Sequence, residues 1–267
     1  MIIDCQTNLT GKLSALEIAE FNDAVGDSDS FFLLASPELA SSEDANDILS
    51  EFAAKHPKAI GFAVIDPLAH KYPAAKIGEL LSRRQFKGLS LYCPHKSMHP
   101  MHSNALELYE VAEKSRIPVF FYIGSKLPQT AALEYAQPYL IDDVARTFPD
   151  LKIIVGNAGR PFIHQTIALL SKNPNVYSTL SINPSRMWSV YNILVLAEEA
   201  GALDKFLFCS NYPESTMSEC VESLLGFNRT LSDTKLPLVP LDKLRNVINR
   251  NSLELLNITS GSYEENG

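Results

Sequence analysis

Amide side chains stand where a parallel α/β protein usually places its chemistry, at or just after short apolar segments. They are Gln6, Asn8, Asn157, Asn183 and Asn211. An amide donates and accepts hydrogen bonds but carries no charge. Turn geometry explains a single Asn at a strand end, but five amides at four strand ends indicate a binding site. Tyr122 adds a phenol that can donate to a ligand oxygen.

Two residues are candidates for acid–base catalysis. His95 follows the fourth apolar segment, and the usual histidine pKa near ~6.5 suits a general base. Asp66 follows the third segment and precedes Pro67. The simpler interpretations are a solvated histidine at the rim and an Asp that opens a turn before Pro. We therefore retain His95 and Asp66 as catalytic candidates with these alternatives beside them.

A histidine cluster suggests a second place for chemistry. His95, His99 and His102 lie with Cys93 on one predicted loop, a composition that can form a relocated metal site. Prolines within the loop break any helix that would align these side chains. Solvated loop histidines remain the simpler interpretation.

The elements that must position these residues repeat regularly. Segments rich in β-branched and aromatic residues begin about 29 residues apart. They cover residues 2–5, 31–35, 60–65, 87–92, 118–123, 151–156, 176–181 and 206–209. Helix-like segments cover residues 42–56, 73–84, 103–115, 141–148, 162–172, 187–200, 216–227 and 241–256. Strands that are apolar on both faces indicate a parallel sheet covered by helices. The pattern predicts a single-domain (β/α)8 TIM barrel over residues 1–259 and a flexible acidic tail over 260–267.

Composition indicates a soluble globular protein and excludes several partners. Hydrophobic residues make up 46% and charged residues 20% of the chain. The net charge is −8 with no basic run, which argues against nucleic acid. No apolar run reaches the ~20 residues that span a bilayer, and the N-terminus does not resemble a signal peptide. Four scattered cysteines suit a reducing compartment, so we expect a cytoplasmic protein. A homo-oligomer is the default expectation for a soluble barrel.

Six sequence strings occur in a characteristic order along the chain. They are IDCQTN at 3–8, FKGL at 86–89, IPVFFYIG at 117–124, FPDLKIIVGNAG at 148–159, FCSNYP at 208–213 and NSLELL at 251–256. Together they resemble the amidohydrolase-related family (amidohydrolase family 2) of metal-dependent hydrolases and decarboxylases over nearly the whole chain. The resemblance implies the same barrel fold.

The positions that hold a metal in that family differ here. The family's His-x-His on the first strand falls on Gln6 and Asn8, the fifth-strand histidine on Tyr122, the sixth-strand histidine on Asn157 and the eighth-strand aspartate on Asn211. Zinc sites use thiolate, imidazole and carboxylate ligands rather than neutral amides. An Asn cannot replace the aspartate as a proton acceptor near neutral pH. We therefore expect no metal and no other cofactor at these positions.

Two functions follow from this pattern. The first is a metal-free, hydrolase-like barrel that binds a small hydroxylated or amide-bearing molecule among Gln6, Asn8, Tyr122, Asn157, Asn183 and Asn211. The second is an active hydrolase, lactonase or decarboxylase of the same family. It would use displaced zinc or another divalent metal, or metal-free acid–base chemistry at His95, Asp66 or Tyr122.

Overall fold

Eight parallel strands form one sheet in sequence order. The computed structural model describes residues 1–26, 28–69, 72–84, 86–124 and 126–259, so the predicted tail at 260–267 lies outside the described residues. Within those ranges the strands are β1 (Ile3–Leu9), β2 (Ser30–Ala35), β3 (Ala59–Ile65), β4 (Gly88–Leu91), β5 (Val119–Phe121), β6 (Ile153–Val155), β7 (Val176–Ser181) and β8 (Phe206–Cys209). Each pairs in parallel with the next strand in the chain.

The first and last strands meet at their carboxyl ends. The Asn8 backbone N–H donates to Tyr212 O at 2.9 Å, and the Asn211 N–H donates to Gln6 O at 3.0 Å. Thr7 and Tyr212 form a parallel bridge. These contacts close the sheet, so the predicted (β/α)8 barrel is confirmed.

Helices follow the strands around the outside of the barrel. In the described ranges they are α1 (Ala15–Val25), α2 (Ala45–Lys55), α3 (Ala74–Arg84), α4 (Ser103–Lys114), α5 (Ile141–Thr147), α6 (Ile163–Lys172), α7 (Met187–Glu199), α8 (Met217–Leu225), α9 (Leu241–Asn249) and α10 (Ser252–Leu255). None of the helices in these ranges has the length and apolar character needed to cross a membrane.

Aromatic rings fill the barrel interior. Phe62 on β3 packs against Phe32 on β2 and Phe120 on β5, with ring centroids 5.0 and 6.0 Å apart. A Cβ atom at Gly88 on β4 would lie 2.2 Å from the Phe62 ring, so only glycine lets the ring approach this strand. The interior below the mouth is therefore a packed core.

Three elements differ from the sequence-based prediction by more than small shifts of their ends. α1 was not predicted; a capping box in which Ser14 and Glu17 each bond the other's backbone N–H starts it. β1 runs to Leu9 because its polar residues are buried and hydrogen-bonded, so Gln6 and Asn8 lie within the strand. The last predicted helix is broken at Arg250, where the backbone is extended, and a new helix starts from the Asn251 cap.

Candidate functional site

Three amides converge where β1 meets β8. Gln6 Nε2 and Asn8 Nδ2 both donate to Asn211 Oδ1, at 2.8 and 3.0 Å. Gln6 and Asn8 share one side of β1 because strand side chains alternate. Asn211 has a left-handed backbone, with φ 57°, which Asn tolerates better than most residues. This backbone conformation agrees with the turn interpretation of Asn211, and its side chain also joins the amides of β1.

A threonine links this group to the sixth strand. Thr179 on β7 donates through Oγ1 to Gln6 Oε1 at 2.8 Å, and its Oγ1 accepts from the Asn157 backbone N–H at 2.8 Å. Asn157 Nδ2 donates to Ile123 O at 2.6 Å, and Ser181 Oγ donates to Asn157 Oδ1. We call Gln6, Asn8, Asn157, Thr179 and Asn211 the amide cluster. All five are buried, and most of their polar groups are satisfied within the protein.

One acceptor of the amide cluster has no partner. Asn8 Nδ2 donates to Asn211 Oδ1 and also to Tyr212 O at 2.8 Å. Both of these partners are acceptors, so the amide orientation is fixed and Oδ1 is left over. Asn8 is 5% exposed, and Oδ1 has no hydrogen-bond partner among the described residues. A buried carbonyl in this state is costly unless a ligand or water meets it.

Two stacked tyrosines stand at the carboxyl ends of β4 and β5. The rings of Tyr92 and Tyr122 lie 4.8 Å apart with 22° between their planes. Tyr92 Oη reaches across to β2 and donates to Ala35 O at 2.7 Å. Among the described residues, the Tyr122 hydroxyl has no hydrogen-bond partner. Burial, aided by the charges of Glu214 and Glu38, raises the pKa of Tyr122, so the phenol stays protonated.

His95 lies beside this aromatic pair. Its ring centroid is 6.1 Å from that of Tyr122 and 6.3 Å from that of Tyr92. Both ring nitrogens are buried without a hydrogen-bond partner in the described ranges. Burial lowers the pKa of His95, against an opposing effect of Glu38, so the ring is neutral near pH 7. A neutral imidazole with a free lone pair has the properties of a proton acceptor.

Other predicted residues lie in local structural roles. Asp66 Oδ1 accepts from the backbone of Leu68 and Ala69 at 3.1 and 3.3 Å, and Oδ2 pairs with Lys96 Nζ at 3.0 Å. This is the turn that an Asp before Pro predicts. Asn183 Oδ1 accepts from Ser185 N at 2.9 Å and caps a short helical turn. Asn183 shares no hydrogen bond with the amide cluster among the described residues.

The histidine loop does not assemble a site of its own. His99 Nδ1 accepts from Met101 N at 3.0 Å, and His102 Nδ1 accepts from Asn104 N at 3.3 Å at the start of α4. Burial raises the pKa of Cys93 to about 12, which keeps the thiol protonated. His99 and His102 are thus used in local backbone contacts rather than jointly with His95 and Cys93.

Two buried groups were missed by the reasoning from sequence. Thr179 links the amides, and the signal for it was the polar stretch Ser178–Thr179 inside an otherwise buried strand. Asp4 is fully buried under the β1–β8 seam; its Oδ1 accepts from Ser210 N at 3.0 Å and Gln6 N at 3.3 Å. Its Oδ2 has no partner in the described ranges. Burial raises the pKa of Asp4 from 3.8 to about 6, although hydrogen bonds from Ser210 and Gln6 act in the opposite direction.

Comparison with known proteins identifies the family. The amidohydrolase family model matches residues 35–257. The chain belongs to the amidohydrolase family. No curated protein matches the sequence of this chain at a significant level.

Several solved structures superpose over nearly the whole chain. A TIM-barrel protein from Bordetella bronchiseptica is 18% identical with a TM-score of 0.70, over 96% of this chain and 98% of that one. A dihydroxybenzoic acid decarboxylase from Polaromonas sp. JS666, with bound manganese and 2-nitroresorcinol, is 15% identical (TM-score 0.62, 96% and 97% covered). A probable 2-pyrone-4,6-dicarboxylic acid hydrolase from Acinetobacter baumannii, with citric acid, is 13% identical (TM-score 0.65, 96% and 99% covered). These matches establish the shared barrel fold.

At the positions where the family resemblance places metal ligands, this chain has neutral side chains that largely bond to one another. Both lone pairs of Asn211 Oδ1 are used by Gln6 and Asn8, and Asn157 Oδ1 accepts from Ser181. None of these groups is anionic, so they would not compensate a cation for lost hydration. Nor do three or more His, Cys, Asp or Glu side chains group closely enough to hold a metal anywhere in the described ranges.

Proposed function

We propose that this amidohydrolase barrel binds a small, uncharged polar molecule at its mouth without a divalent metal. The observation that carries the proposal is Asn211 Oδ1, which accepts from Gln6 and Asn8 at 2.8 and 3.0 Å. Resemblance to the family places an aspartate at this position. In this chain a neutral carbonyl stands there, already engaged by two protein donors. Amide–amide bonds thus replace ligand–metal bonds at the carboxyl end of the barrel.

The groups left over indicate what the ligand must offer. Asn8 Oδ1 requires a donor, and the protonated Tyr122 hydroxyl can donate to an acceptor. A hydroxyl group or a primary amide supplies both. The negative charges of Glu38 and Glu214 near Tyr122 disfavour an anion at this place. A neutral polyol or amide therefore fits better than a carboxylate. Gln6 and Asn157 contribute by holding Asn8 and Asn211 in place, and Asn183 remains a predicted ligand residue at the rim.

A thermal-shift screen tests this proposal. The panel contains uncharged polyols and primary amides, matched carboxylates, and MnCl2 and ZnCl2 as separate arms. We expect stabilisation by at least one neutral compound and loss of that stabilisation in Tyr122→Phe, with Tyr139→Phe on the exposed surface as the control. Stabilisation by the divalent metals alone, or by no neutral compound, contradicts the proposal.

His95 supports a second candidate function. Its neutral ring, with two unpartnered nitrogens beside Tyr122, suits metal-free acid–base catalysis in a hydrolase, lactonase or decarboxylase. Asp66 is less suited because its carboxylate already pairs with Lys96 and two backbone amides. The test is turnover of a lactone or aryl ester. Turnover supports this candidate if it survives chelation, is lost in His95→Gln and persists in Asp66→Asn. Activity that chelation abolishes and zinc restores indicates the displaced-metal form instead.

The cellular setting is also a proposal. Cys5, Cys93, Cys209 and Cys220 are all buried and free, which suits a reducing compartment such as the cytoplasm. Self-association through the barrel helices stays a prediction that sedimentation can test.

A further inference from the structure

A second recess lies between α6, α7 and the loops that follow β5 and β6. It has a volume of about 740 Å³, within the usual range of small-molecule sites. Residues from the loop after β5, from the turn after β6 and from α6 and α7 line it. No residue of the amide cluster is among the described residues of its lining. We call it the α6–α7 pocket.

The walls of the α6–α7 pocket are mainly apolar. They include Leu127, Leu133, Ile163 and Trp188. Leu133 is 55% exposed and Trp188 is 67% exposed, which is high for side chains of this size. The Trp188 indole stacks on Tyr191, with ring centroids 5.5 Å apart, so it is held in place as a wall. Covering these side chains with an apolar group would be favourable, because it removes apolar surface from water.

Arg160 brings an unsatisfied cation to this apolar recess. Its Nη2 donates to Ser181 O at 2.8 Å, but its Nε is buried and has no hydrogen-bond partner in the described part of the chain. Burial lowers the pKa of Arg160; Glu214 acts against this effect and Arg186 adds to it. The buried Nε of this guanidinium therefore lacks the hydrogen bond that a buried polar group requires. A carboxylate matches its planar pair of donors better than any neutral group does.

We propose that the α6–α7 pocket binds a monocarboxylate with a compact apolar body. The carboxylate pairs with Arg160, and the apolar body covers Trp188, Leu133 and Ile163. This site differs from the proposed mouth site in both place and charge preference. It does not depend on the proposed function of the amide cluster.

Trp188 is the only tryptophan of the chain, so its fluorescence reports on this pocket directly. The probe is cyclohexanecarboxylate, and cyclohexanecarboxamide is its uncharged isostere. We expect a saturable blue shift of Trp188 emission with the carboxylate and at least about tenfold weaker binding of the amide. Equal responses to both probes, or no saturable response, overturn the proposal. Emission that changes with protein concentration instead shows that a second copy covers the recess, which also overturns it.

Variants separate the guanidinium from general charge effects. Arg160→Gln should weaken carboxylate binding at least about tenfold and leave amide binding unchanged. Arg186→Gln is the matched control, because Arg186 lies outside the pocket lining and should change affinity by less than about threefold. If Arg160→Gln fails to fold, Leu133→Glu places a competing carboxylate at an exposed wall position and should abolish the response. If these variants fold and bind the carboxylate as tightly as the wild type does, the proposal is contradicted. Tyr122→Phe should leave this titration unchanged, which distinguishes the pocket from the mouth site.

Discussion

Replacing Asp4 with Asn should change how the stability of the barrel depends on pH. Asp4 is fully buried, and its raised pKa of about 6 means that the folded state binds a proton that the unfolded chain has already lost. Stability from this group is therefore fully present below pH 3.8 and is lost as pH rises through 6. Asn cannot titrate, so Asp4→Asn removes this dependence while its Oδ1 can still accept from Ser210 N and Gln6 N.

The size of the effect follows from the pKa difference. A rise from 3.8 to about 6 corresponds to about 3 kcal/mol between the two protonation extremes. About 2 kcal/mol of that change falls between pH ~4.5 and ~7.5, a range convenient for urea denaturation. Relative to the wild type, Asp4→Asn should therefore become more stable by about 2 kcal/mol as pH rises across this range.

Urea denaturation of both proteins at several pH values measures this difference. Taking the difference between the two proteins removes the contribution of the other carboxylates to the pH dependence, because these groups titrate in both proteins. Cys5→Ala is the matched control on the same buried strand, because burial raises the pKa of Cys5 well above this pH range. If the difference in unfolding free energy between the wild type and Asp4→Asn stays constant with pH, the assignment of a shifted pKa to Asp4 is refuted.

Further predictions concern the amide cluster and the tyrosine pair. Asn211→Ala should destabilise the protein by about 2–4 kcal/mol, since it leaves Gln6 Nε2 unpaired and puts Ala in a left-handed conformation; Asn211→Gly should cost about 1 kcal/mol less. Urea denaturation measures both, and identical losses would show that the backbone conformation is not costly. Tyr92→Phe should lower the free energy of unfolding by about 1–2 kcal/mol, because it removes the hydrogen bond to Ala35 O. Tyr122→Phe should lower it by less than about 0.5 kcal/mol, because the hydroxyl has no partner among the described residues. Equal losses in these two variants would contradict the hydrogen-bond assignment.

The barrel could be predicted from the sequence because most of its strands are buried on both faces. Segments such as 31–35 and 176–181 can be recognised as strands from their aromatic, β-branched and other apolar residues. Their regular spacing predicts the order of the sheet. α1 was not predicted because only three of its residues are buried, Phe21, Ala24 and Val25. Its capping box was visible in the sequence, but a short cap pattern without an apolar stripe is weak evidence for a helix.

The sequence predicts most of the residues of the candidate site but not the hydrogen bonds between them. That Gln6, Asn8, Asn157 and Asn211 lie together follows from strand ends meeting in a barrel. That Asn211 accepts from two amides 203 and 205 residues away follows only from the register at the β1–β8 seam. Asn183 follows β7 by two residues, as Asn157 follows β6 and Asn211 follows β8, but its side chain accepts from Ser185 N and caps the next segment instead of joining the cluster. Tertiary geometry, rather than residue type, decided these contacts.

Metal content tests the central claim most directly. The protein is dialysed against excess MnCl2 or ZnCl2, then against metal-free buffer, and its bound metal is determined by mass spectrometry. We predict retention well below one equivalent, and no change in Asn211→Ala, because neutral amides already bonded to one another do not replace a cation's hydration shell. One tightly retained equivalent that Asn211→Ala removes, and that His102→Ala does not, would contradict the account.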